Sequence, residues 1–152
     1  MQQNGLMEIL DRSRHEQLEL CDMLEVIADS LPGRVDRGVC AQTAKQLAEI
    51  VARAHDTEEV YIFPRIAAAG PLVVDSAAMI EQLRNHHLAD AFLVEELVEV
   101  LMSYEIGAPL QGPEATGYML RGFFGGLRRH LALEHELFGV VLGQIDKDRQ
   151  GP

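Results

Sequence analysis

The chain has 152 residues, of which 47% are apolar, with 24 acidic against 13 basic side chains and a formal charge of −11. That length suits one domain, which buries roughly 70% of the surface its unfolded chain exposes. The acidic balance excludes proteins that grip a phosphate backbone or an anionic membrane, since both need clustered Lys and Arg.

Residues 1–152 therefore read as a single domain with no nucleic-acid or membrane partner. The opening MQQNGLMEILDR has neither the basic start nor the apolar stretch of a signal peptide. No apolar run approaches the ~18 residues of a membrane span. A cytoplasmic location is expected. Cys21 and Cys40 form no C-x-x-C motif or disulfide framework, and buried thiols are the simplest reading.

Turn-forming stretches at 31–36, 70–76 and 107–113 divide the chain into four segments of helical periodicity, near 6–30, 36–69, 76–104 and 113–146. Short links between long helices favour an all-α, antiparallel, up-down-up-down four-helix bundle. The first helix has an apolar stripe of Leu6, Ile9, Leu10, Leu20, Leu24 and Ile27, and its one histidine, His15, points to the opposite side. Periodicity alone leaves His15 exposed. Asp36 is placed to cap the second helix, whose stripe is Ala44, Ala48, Val51 and Ile62, with His55 in its middle. Pro64 removes a backbone donor near the end of that helix, and a kink or break is expected there, with 65–69 as a short extension. Asp75 or Ser76 caps the third helix. Its stripe runs through Met79, Ile80, Leu83, Val94, Leu97, Val98 and Leu101, and His87 lies nearer the centre of that stripe than His86. Pro113 suits the first turn of the fourth helix. There His130 and Glu134 share a face with Phe123, Leu127, Leu137 and Val141.

One partial echo links two helices. The second reads His55-x3-Glu59-x3-Phe63, and the fourth reads His130-x3-Glu134-x3-Phe138. A spacing of four puts imidazole and carboxylate on one helix face, where both can reach the same point. A surface ion pair would explain either match alone. Core positions need a stronger partner, because a buried carboxylate is costly unless it is paired or ligates a cation. Two such pairs inside one bundle favour metal.

One histidine per helix, with H-x3-E on the second and fourth, resembles the hemerythrin-like (HHE cation-binding) family over nearly the whole chain. Further matches are Leu20-Cys21 and Leu24-Glu25 through Pro32, Glu59 with Phe63-Pro64, and His87-Leu88-Ala89-Asp90, flanks that resemble a proteobacterial branch. The resemblance implies a non-haem di-iron centre. Its metal ligands would be His15, His55, Glu59, His87, His130 and Glu134, with the two glutamates bridging. Glu58 is a candidate extra ligand, and His135 lies off the core face. The set departs from the five histidines and one aspartate of the oxygen-carrying hemerythrins, which counts against reversible transport of that kind. Ferritin-like di-iron bundles place the carboxylate first, as Glu-x-x-His, an order this chain does not show.

The expected cofactor is two iron ions, with other divalent metals also suited to imidazole and carboxylate. The expected partner is a small ligand (O2, NO or peroxide), bound or sensed rather than turned over, since nothing in the sequence supplies a pocket for an organic substrate. The alternatives are a di-iron enzyme consuming peroxide or oxygen, and a metal-free bundle such as a histidine phosphotransfer module. If His15 faces the site, the leucines of the first helix cannot all face the same core. A homodimer through that helix would cover them.

Overall fold

The computed structural model of the chain describes residues 3–69 and 75–150, the side chains of 3, 4, 146 and 148–150 apart. Helix α1 spans Gln3–Ser30 and α2 spans Arg37–Thr57. A π-helical turn, Glu58–Ile62, leads directly into α3, Phe63–Ala68, so these three pieces form one interrupted rod. Helix α4 spans Ser76–Glu105, and α5 spans Pro113–Gln150. The four rods form an all-α bundle with no strand among the described residues. Helix α2 packs most extensively on α4, and α1 on α5 and then α2, whereas α4 and α5 meet only sparingly.

The helix starts follow from local chemistry. The Asp36 carboxylate accepts the Val39 N–H at 3.1 Å, and the Asp75 carboxylate accepts the Ala78 N–H at 3.2 Å. Each satisfies one of the donors that the first turn of a helix leaves free. Ser76 is buried one residue inside the helix, so the cap is Asp75. Pro113 opens α5, where its missing N–H costs nothing. Gly107 ends α4 at φ +76°, and a Cβ there would meet the Arg37 guanidinium at 2.8 Å.

Pro64 does interrupt its helix, but through a wide turn rather than a sharp break. Proline has no N–H to give, and its ring crowds the carbonyl four residues back. The turn before it opens instead, with the Phe63 N–H bonding to the Glu58 carbonyl. Val60 and Tyr61, on the outside of this turn, are exposed. An opened turn of this kind inserts part of a residue into the helical repeat and shifts the faces that follow.

The core forms two apolar clusters. One gathers Leu20, Leu24, Leu47, Val51, Leu97, Leu101, Leu120, Phe123, Leu127 and their neighbours. The other gathers Leu6, Ile62, Phe63, Ile66, Ile80, Leu83, Phe138, Val141, Leu142 and Ile145. Burying each such side chain contributes about 1.5–3 kcal/mol. Leu6, Leu20, Leu24 and Ile27 of α1 all lie inside, and Leu10 packs partly against the second cluster. The α1 stripe is thus covered by the bundle itself, and the reason for placing a dimer contact on it is gone. Ala48, by contrast, is exposed.

Candidate metal centre

Between the two clusters lies a layer of imidazoles and carboxylates. Helix α2 and the π turn supply His55 and Glu58, α4 supplies His87 and Asp90, and α5 supplies His130 and Glu134. Each pair stands three or four residues apart on its own rod, so both members share a face. All six line one small cavity of about 10 Å³, walled by Val51, Ala54, Phe123 and Leu127. That is room for about one water-sized atom. From α1 the cavity receives Gln17.

These groups are bonded to one another. His87 Nε2 is hydrogen-bonded to Glu58 Oε2, and His130 Nε2 pairs with Glu134 Oε1 one helical turn away. Glu58 and Glu134 stand side by side at the cavity, linking the two pairs. The His55 and His87 rings stack with centroids 4.0 Å apart and planes 13° from parallel. His55 Nε2 lies 3.9 Å from Asp90 Oδ2. Phe63 stacks on the far side of His87 at 5.7 Å.

Burial and neighbouring charge divide the protons unevenly. Burial, helped by the nearby His87, lowers the His55 pKa to about 4, so this ring is neutral at pH 7. Burial likewise lowers His87. The hydrogen bond to Glu134 raises His130. Burial pushes Glu58 and Asp90 up, Glu58 further so because Glu134 is beside it. Glu134 is buried too, but hydrogen bonds from His130 and Glu58 hold it below the usual carboxylate range. The two neighbouring carboxylates are thus pushed in opposite directions.

The structure brings together His55, His87, His130 and Glu134 of the sequence-based ligand set. His87 is buried, while His86 is exposed and meets His130 edge-on at 5.5 Å. His135 is exposed, 4.0 Å from Asp11.

Two members of the expected set stand elsewhere. The His15 side chain is 75% exposed and pairs with Glu19 at 3.1 Å, one turn along α1. Because the leucine stripe faces inward, the opposite face that carries His15 must face water. The histidine periodicity left outside is outside, and the α1 residue at the cavity is Gln17. Glu59 stands at the rim. Its Oε2 accepts from Arg84 Nε at 2.9 Å, and its Oε1 lies 3.4 Å from His87 Nδ1. The inner position goes to Glu58, three residues after His55 on the same helix face and the first residue of the π turn. Asp90 was not among the expected ligands. Its signal was its place three residues after His87, on the same helix face.

Among the described residues, no three His, Cys, Asp or Glu side chains stand around one point as a bound metal would require. Their donor atoms are turned toward each other. The donor set nonetheless fits a cation. Three imidazoles and two carboxylates converge on one small space, and buried His87 Nδ1 has no well-formed hydrogen-bond partner. Its 3.4 Å approach to Glu59 is at the outer limit of such a bond. Imidazole and carboxylate are ligands shared by iron, manganese and zinc.

The hemerythrin HHE cation-binding domain family model matches residues 6–141, and the chain belongs to that family. No curated protein and no solved structure matches it significantly. None of the described helices is long and apolar enough to cross a membrane.

Proposed function

We propose that this hemerythrin-family chain holds two iron ions in the layer between its apolar clusters, and that the centre binds a small ligand such as O2, NO or peroxide. The observation that carries this reading is the convergence of His55, Glu58, His87, His130 and Glu134 on one small cavity. The three imidazoles supply neutral nitrogen donors once His130 gives up its proton. Glu134, and Glu58 once deprotonated, supply the anionic oxygens, with Glu59 at hand on the rim. Asp90 sits beside His55, its Oδ2 3.9 Å from the ring Nε2, near enough to act as an outer partner. Iron, when bound, brings redox chemistry and open coordination positions that no side chain here provides.

The rest of the function falls to the chain's own residues. Phe63, stacked on His87, and the walls of Phe123 and Leu127 keep bulk water from the layer. Their closeness admits a diatomic or triatomic ligand and refuses an organic substrate, so we assign binding or sensing over metabolic turnover. The test is to load metal-free protein with iron(II) under anaerobic conditions and titrate it with nitric oxide. Saturable uptake with a new visible absorption band is expected. Iron-loaded protein whose spectrum does not respond to nitric oxide or oxygen would exclude the ligand-binding role.

A further inference from the structure

A groove of about 240 Å³ runs between α4 and α5, lined on one side by His86, Ala89 and Asp90 and on the other by Gly122, Gly126 and His130. It shares Asp90, Phe123, Leu127 and His130 with the cluster's cavity, so two members of the His/Glu cluster face the groove directly. We propose that this groove is the passage by which a small neutral molecule reaches the cluster, with Gly122 and Gly126 keeping it open.

Three observations support the passage. First, α4 and α5 are neighbours that pack sparingly, and the groove is lined by residues of these two helices alone. Second, the glycines serve no close approach. A Cβ on Gly122 would meet nothing within 4 Å, and one on Gly126 only the tip of Arg129 at 3.9 Å. Glycine inside a helix is unfavourable relative to alanine, yet here no backbone or ligand crowds the site it leaves. The two lie four residues apart on one face, and what they leave is open space. Third, the cavity on the opposite side, beside α1, is smaller, about 30 Å³, and is lined by the polar Asp11, Arg14 and His135 beside Glu58 and Glu134.

The lining also sets what passes. Leu93, Phe123 and Leu127 give an apolar floor. The wall carries polar groups of both kinds, Asp90 against His86 and His130, so the preference for a small neutral molecule rests on that apolar floor.

This inference rests on the proposed ligand-binding role, and its test separates the two. The variants are Gly126→Leu and Gly122→Leu, with Ser13→Leu as the counterpart on the α1 side. Metal content and circular dichroism establish that each still folds and loads. Two readouts follow: the association rate of nitric oxide with iron(II)-loaded protein, and xenon-induced methyl shifts of Leu93 and Leu127 in metal-free protein. Both glycine variants are expected to keep their metal, to bind nitric oxide at least tenfold more slowly, and to lose the xenon shifts. Ser13→Leu is expected to change neither. Unchanged nitric oxide rates in both glycine variants, or slowing by Ser13→Leu alone, would overturn the passage. Should the unmodified protein hold no iron, the functional proposal falls, and the xenon shifts alone decide the groove.

Discussion

Glu58 and Glu59 are adjacent carboxylates with different surroundings, and the difference decides the site. Glu58 is buried, bonded to His87 and beside Glu134, while Glu59 is about a third exposed and held by Arg84. Counting four residues from His55 selects Glu59, whereas the inner position falls three residues on, at the first residue of the π turn. Nothing in the H-x3-E spacing shows the opened turn, although Pro64 marks where one is needed. His87, His130 and Glu134 were legible because their helices are regular there and their phase follows from the leucines around them. We expect Glu58→Gln to remove most of the bound metal, and Glu59→Gln to weaken binding by about 10- to 100-fold, the scale of an outer partner. Metal content after dialysis against a weak chelator reads this directly. The reverse order would return the inner role to Glu59. Away from the site, burial raises the Cys21 thiol from its ordinary 9.0 to about 11. A thiol whose folded pKa is raised contributes stability fully below the unfolded value, and loses it as pH rises through the folded one. Stability should therefore fall between pH 9 and 11 by more in the native chain than in Cys21→Ala, as followed by urea denaturation. Identical slopes would mean that the thiol is not desolvated.

At the scale of the element, α1 shows how a strong stripe fixes a helix's rotation. Leu6, Leu20, Leu24 and Ile27 leave one orientation in which all are buried, and His15 is on the wrong side of it. Family resemblance argued for an inward His15, and the physical pattern of the leucines argued against it. The packing follows the leucines. The outer face of α1 is tied to α5 by ions. Arg128 reaches Asp22 at 2.8 Å and Glu25 at 3.0 Å, and lies over the Phe124 ring at 4.9 Å, while Arg121 reaches Asp29 at 2.6 Å. Exposed pairs of this kind contribute little singly, but Arg128 joins two carboxylates and an aromatic face. Arg128→Ala should cost about 1 kcal/mol. For a domain of this size that lowers the melting midpoint by roughly 2–4 °C. Raising salt from low to molar concentration should shrink the gap between variant and wild type, since exposed charges are screened. A gap insensitive to salt would assign the effect to lost packing on Phe124.

For the whole molecule, the arrangement is two apolar clusters with a polar layer between them. The four-helix architecture was legible from three turn regions and the periodicity between them, and the helix ends agree to within a few residues. The division of the core was not, since a helical wheel shows which face is inward but not how the inward residues of four helices stack into layers. That stacking sets His55, Glu58, His87, Asp90, His130 and Glu134 at one level, where buried ionisable groups would be costly without a partner. Sharing protons within the layer offsets part of that cost, and a bound cation would offset more. Metal should therefore stabilise the fold by mass action, and the thermal midpoint should rise with free metal concentration. The most direct measure of the central claim is the iron content of protein purified without chelator. Two iron atoms per chain are expected, falling to near zero in Glu134→Ala. Native protein that holds no metal, and whose melting midpoint does not move when iron(II) is added, would contradict it.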